Sequence, residues 1–165
     1  MRKIKIAVVY HSVSGNTKKM AELVQKGCLA EKDVDCKIMP VDKVDEKHLK
    51  ESQAVIMGCP TYQGTPSWQM KKFLDEGKVD LSGKLGGVFA SQNWPGGGGA
   101  DLTEITIIAA MLVRGMLIYS GGISEGTPYL HFGAVSAKAP AGLYEERCIK
   151  LGSNIAKKAK EIYKD

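Results

Sequence analysis

The segment Ser12-Val13-Ser14-Gly15-Asn16-Thr17 gathers three hydroxyls, an amide and a glycine directly ahead of a helical pattern. That combination suits an anion. Backbone N–H groups at a helix start are unpaired and carry the positive end of the helix dipole, so a phosphate finds donors there without a cationic side chain. The string has neither the lysine of a GxxxxGK loop nor the spacing of GxGxxG, which speaks against a nucleoside triphosphate or a dinucleotide. It fits a monophosphate held by hydroxyls and amides. The simpler alternative is a helix cap supplied by Ser14 or Asn16.

Other reactive residue types lead less far. Gly122-Ile123-Ser124-Glu125-Gly126 has the GxSxG spacing of a hydrolase nucleophile, but Thr127-Pro128 follows it where a helix would be required. Cys28, Cys36, Cys59 and Cys148 form no CxxC pair and have no histidine at ligand spacing, so no metal site is expected. Nothing marks Cys59 as an activated thiol. His11 either approaches the phosphate or makes a structural hydrogen bond.

The elements that must position these residues follow from hydropathy patterning. Ile4 to Tyr10, Val34 to Val41, Ala54 to Gly58, Lys84 to Ser91 and Gly115 to Tyr119 read as strands. Met20, Leu23, Val24 and Gly27 form the stripe of a first helix, and a second begins at Pro66 with Trp68, Phe73 and Leu74 behind it. Asp101 to Val113 is a third. Cys148, Ile149, Gly152, Ile155, Ala156, Ala159, Ile162 and Tyr163 mark the last. Cys59 to Thr65, the breaker-rich Gln92 to Gly99 and the long Gly121 to Gly142 read as loops. Five short apolar strands alternating with helices predict an α/β, three-layer sandwich around a five-stranded parallel sheet of order 2-1-3-4-5. In such sheets ligands bind beyond the carboxyl ends of the strands, so the loops after strands one, three and four are the place to search.

A length of 165 residues implies one domain, and 44% apolar with 25% charged residues excludes disordered and fibrous classes. Nineteen glycines suggest backbone-lined loops, and a net charge of +5 favours anionic partners. Met1, Arg2 and Lys3 precede a short strand with no cleavage site, and no apolar run reaches about 18 residues. No membrane span and a cytoplasmic location are therefore expected, together with reduced cysteines. Lys150, Lys157, Lys158, Lys160 and Lys164 read as a solvated helix face, and nothing resembles a nucleic-acid module. Ile105 to Val113 is apolar around its whole circumference, which predicts burial on both sides and hence a homodimer or homotetramer with this helix near the interface.

The S-x-S-G-N-T string is similar to the FMN-phosphate loop of flavodoxin-like proteins. Cys59-Pro60-Thr61-Tyr62-Gln63-Gly64, continued by Gln69-Met70-Lys71-Lys72-Phe73-Leu74-Asp75, resembles the P-T-x-x-G…Q-M-x-x-F-L-D segment of WrbA-type NAD(P)H:quinone oxidoreductases and related FMN reductases. Val88-Phe89-Ala90-Ser91 with its glycine tract, Gly115-Met116 and Gly126-Thr127-Pro128-Tyr129 extend the resemblance over nearly the whole chain. It implies a flavodoxin-like fold. It also implies that Ser12, Val13, Ser14, Gly15, Asn16 and Thr17 hold the FMN phosphate, that Pro60, Thr61, Tyr62, Gln63 and Gly64 line the isoalloxazine, and that Ser91, Gln92, Asn93, Trp94, Gly96 and Gly97 close its other side.

The resemblance further implies hydride transfer from NAD(P)H to the flavin, then reduction of a quinone or similar small acceptor. Candidates to touch the reactants are Tyr62 and Trp94 as ring-stacking aromatics, His131 from the late loop, and Arg114, which stands where the WrbA type commonly has histidine. The alternative is a flavodoxin-like carrier passing electrons between protein partners, with no small-molecule substrate. Classical flavodoxins tend to be acidic, whereas this chain is basic.

Overall fold

The computed structural model describes residues 3–163. Met1, Arg2, Lys164 and Asp165 lie outside it, and with them one lysine of the C-terminal set. β1 (Ile4–Tyr10), β2 (Val34–Pro40), β3 (Ala54–Tyr62) and β5 (Leu85–Gln92) pair in parallel in the order β2-β1-β3-β5. Successive side chains of β1 point to opposite faces, and both faces are covered. Ile6, Val8 and Tyr10 pack with α1 (Asn16–Leu29) and α5 (Leu143–Ile162), while Ala7 and Val9 face a second core. That second core is roofed by α2 (Glu46–Glu51), α3 (Trp68–Glu76) and α4 (Ala100–Val113). Burial on both sides explains why these strands read as continuous apolar runs rather than alternating ones.

The fifth position of the sheet is filled in two pieces. β6 (Leu117–Ile118) pairs with the start of β5, and β7 (Ala134–Ala137) pairs with its end. The order 2-1-3-4-5 therefore holds, with the last strand interrupted by residues 119–133. The expected uninterrupted loop from Gly121 to Gly142 is corrected accordingly. Ser120 Oγ donates to the His131 carbonyl, Asn154 Nδ2 donates to the Ser120 carbonyl, and Lys150 Nζ reaches the carbonyls of Glu125, Gly126 and Thr127 at 2.6–2.9 Å. Lys150 is thus a brace for this excursion, not part of a merely solvated face.

Three local differences from the sequence reading have simple causes. Pro66 lies not at a helix start but in β4 (Thr65–Pro66), a two-residue strand that folds back on the end of β3, and Ser67 becomes the N-cap of α3. The turn between them uses Gln63 and Gly64, both at positive φ, as a two-residue hairpin turn requires. The six-residue α2 is too short to show a period; Asp45 starts it by accepting from the His48 N–H at 3.0 Å.

Helices α1 and α5 approach each other backbone to backbone. A Cβ built on Gly152 would stand 2.0 Å from the Val24 carbonyl oxygen, and one on Gly27 1.9 Å from that of Ile149. Only glycine fits at these two crossing points. On the other side of the sheet α4 turns Ile107 and Met111 inward and leaves Leu102, Ile105, Leu112 and Val113 exposed. No helix among the described residues is long and apolar enough to cross a membrane.

Candidate flavin site

β1, β3 and β5 are neighbours, and their carboxyl ends deliver three loops to one edge of the sheet. The first loop leaves β1 at Tyr10. His11 stays tied to the sheet through its N–H to the Gly58 carbonyl at 3.1 Å, and its Nδ1 meets Ser67 Oγ at 2.9 Å. Burial lowers the His11 pKa against the opposing pull of Asp42. Val13, Ser14 and Gly15 then project into solvent.

Gly15 is the N-cap of α1, at φ 90°, and no side chain caps the helix. The alternative of a cap by Ser14 or Asn16 is therefore not realised, and the first-turn N–H groups keep their donor capacity for an anion. Thr17 is the second residue of the helix, but its hydroxyl is engaged elsewhere, with Ser91 Oγ at 2.8 Å. Its share in an anion site is the backbone N–H.

The second loop is the end of β3. Pro60 is in register with Ser91, and Thr61 and Tyr62 extend past the ladder into the Gln63-Gly64 turn. The third loop runs from Asn93 to Gly99. A Cβ on Gly99 would lie 3.0 Å from the Gly64 Cα, so loops two and three touch through their glycines. Gln92 turns inward: its Oε1 accepts from the Ala100 N–H at 3.0 Å and caps α4. Its side-chain oxygen is thereby engaged within the protein. Tyr62 is 43% exposed and Trp94 74% exposed, both on loops that frame the edge.

Two buried hydroxyl oxygens at this edge have no hydrogen-bond partner, Ser12 Oγ and Thr61 Oγ1. Leaving such groups unpaired costs on the order of 1–3 kcal/mol each, so a ligand that satisfies them gains that much. An uncapped helix start, two orphaned hydroxyls, and glycines at Gly15, Gly64, Gly96 and Gly97 where an added Cβ would meet nothing within 4 Å form a cradle for a flat ring carrying a phosphate. These residues fit FMN. A cleft of about 510 Å³ adjoins the first loop, lined by His11, Ser12, Lys18, Asp42, Lys43 and Gln69 among others. Lys18, Asp42 and Lys43 carried no motif that could have singled them out.

Two expected residues are not brought here. Arg114 follows α4 at the amino end of the sheet, where its Nη2 donates to the Val79 carbonyl and the next residue, Gly115, accepts from the Gly83 N–H. His131 precedes β7 by three residues on the sheet edge and is exposed. Cys59 is an inert thiol: burial pushes it up to about 11 despite hydrogen bonding with Ser67. Ser124 donates to the Gly121 carbonyl inside the excursion and has no helix after it, so the hydrolase motif is empty of chemistry.

An open parallel sheet with an uncapped helix start after its first strand and glycine-bearing loops after β3 and β5 at the same edge has the architecture of a doubly wound, flavodoxin-like protein. The chain belongs to the flavodoxin family, whose model matches residues 8–104. It is 38% identical to a flavodoxin of Clostridium saccharobutylicum over 97% of this chain and 100% of that one. It is 28% identical to an NAD(P)H dehydrogenase (quinone) of Archaeoglobus fulgidus over 96% of each chain. The structure superposes on that of a flavodoxin from the domain Archaea with a TM-score of 0.77, at 32% identity and covering 95% of this chain and 99% of the other. The resemblance read from the sequence is thus met at the level of the flavodoxin family, with relatives of both names.

Proposed function

We propose that the chain binds FMN and serves as an electron carrier between redox proteins. The observation that carries this reading is the composition of the site edge: two exposed aromatics, Tyr62 and Trp94, stand on its loops, while Arg114 and His131 stand elsewhere. A carrier needs an accessible redox group and a surface to meet a partner. It needs no second bound reactant and no proton-handling side chain. Ser12, Ser14, the backbone of Gly15 to Thr17 and the dipole of α1 would hold the phosphate; Pro60 to Gly64 and Asn93 to Gly97 would line the ring. FMN, when bound, supplies reversible one- and two-electron chemistry. The four cysteines are free and buried, which accords with a cytoplasmic setting.

A second reading, NAD(P)H-driven reduction of a quinone-like acceptor, is favoured by the Archaeoglobus relative's name and its near-complete coverage. Anaerobic mixing of the FMN-loaded protein with NADH or NADPH separates the two. The carrier reading expects the flavin absorbance to persist with either nucleotide and to be lost with dithionite. Rapid bleaching by one nucleotide, with turnover on adding a quinone, would replace it by the enzyme reading.

A further inference from the structure

The cleft beside the first loop does not end there. Its wall residues Val41, Asp42 and Gln69 also line a second opening of about 290 Å³, which continues between the exit of β2 and α3 past Trp68 and Phe73. The two openings form one groove on the β2 side of the first loop, and none of residues 59–67 or 91–99 lines it. Its size is that of a small-molecule site rather than of a single phosphate. Trp68, on the first turn of α3, is 66% exposed along it and belongs to none of the three flavin loops.

The groups of the groove are sorted by chemistry along its length. Lys18 and Lys43 stand at the end bordered by Ser12, Val13 and Gly15, with Lys18 held only loosely by Glu22 at 4.0 Å. Asp42 comes next, shared by both openings and two residues past the end of β2. Gln69 lies opposite with its Oε1 buried and without a hydrogen-bond partner, an acceptor that a ligand N–H would satisfy. Trp68 and Phe73 line the far end. Cations for a phosphate, a carboxylate for ribose hydroxyls, an acceptor for an exocyclic amino group and aromatic rings for a flat base are together the requirements of an adenine nucleotide.

We propose that this groove is an adenylate subsite, in which Lys18 and Lys43 take the phosphate, Asp42 the ribose hydroxyls, Gln69 the adenine amino group, and Trp68 with Phe73 the face of the base. The place of Asp42 agrees with the fold, because in doubly wound sheets an acid near the exit of the second strand serves the adenosine ribose. A GxGxxG turn is not needed, since this phosphate meets lysines rather than backbone. Such an adenylate has two sources: the distal half of FAD, its pyrophosphate running from the first loop to Lys18, or a free adenine nucleotide seated beside FMN. The first source rests on the FMN reading. The second does not.

Calorimetric titration of the flavin-free protein with FMN, FAD and AMP, and of the FMN-loaded protein with AMP, tests the proposal. FAD binding about tenfold or more tighter than FMN assigns the adenylate to the flavin. AMP binding to the FMN-loaded protein with a dissociation constant on the order of 100 µM, and FAD no tighter than FMN, assigns it to a free nucleotide. In either case Trp68→Ala and Lys43→Glu, both at exposed positions, should weaken the adenylate contribution about tenfold and leave FMN affinity unchanged. AMP uptake by a chain that takes no FMN would support the groove while overturning the flavin reading. The proposal is overturned if FAD gains nothing over FMN and AMP fails to bind at about 5 mM, or if binding is indifferent to both substitutions.

Discussion

The hydroxyls of Thr17 and Ser91, 74 residues apart in sequence, share a buried hydrogen bond of 2.8 Å. Thr17 is the second residue of α1 and Ser91 lies one residue before the end of β5, so this bond ties the first loop to the strand that feeds the third loop. The positions of the two halves of the site are coupled through it.

Ser91→Ala leaves the Thr17 hydroxyl buried without a partner and should cost about 1–2 kcal/mol of unfolding free energy. Thr17→Val alone should cost a similar amount. The double variant Thr17→Val/Ser91→Ala should cost less than the sum, because neither hydroxyl is then stranded. Urea unfolding of the flavin-free protein measures all three.

Ser12 and Thr61 have the opposite standing, since their buried oxygens have no partner within the protein. Ser12→Ala and Thr61→Ala should leave the stability of the flavin-free chain unchanged or slightly raised. Each should weaken FMN binding about five- to tenfold. Urea unfolding paired with quenching of FMN fluorescence reads both quantities on one preparation.

Gly152→Ala forces a Cβ to within 2.0 Å of the Val24 carbonyl oxygen, and backbone cannot move aside as a flexible side chain can. α1 and α5 would have to separate. The loss should be about 3 kcal/mol or more, against a gain of under 1 kcal/mol from helix propensity. A fall in the urea midpoint with the m-value preserved is the expected signature.

Glu104 is buried on α4 with its Oε1 unpartnered. Burial, reinforced by Asp101 and opposed by Arg147, raises its carboxyl well above the ordinary value. Above pH 4.5 the unfolded chain releases this proton while the folded chain keeps it, so the folded state binds more protons and loses stability as pH rises. Glu104→Gln removes that dependence. Its stability advantage over the parent should be small near pH 4.5 and larger at pH 8, as read from urea midpoints at the two values.

The cradle was largely legible because its physics is local. A loop of hydroxyls and glycine ahead of a helix, and a P-T-x-x-G turn after an apolar strand, announce themselves in a few residues. The interrupted fifth strand was not. Ala134-Val135-Ser136-Ala137 is too short and too small in side chains to stand out, and its pairing with Phe89 to Gln92 is entirely non-local. α2 escaped notice for a similar reason, having only six residues. Arg114 shows the limit of reading by position. It follows α4 closely in sequence, yet the helix carries it to the far end of the sheet, where it donates to the Val79 carbonyl.

The central claim is that the three loops form one FMN site in which the phosphate is held by the uncapped start of α1. Titration of the flavin-free protein with FMN and, separately, with riboflavin tests it most directly, because the two ligands share the ring and differ by the phosphate. The account predicts one FMN per chain with its fluorescence quenched, and riboflavin binding weaker by about a hundredfold or more. Equal affinity for the two flavins, or no uptake of either, would contradict it.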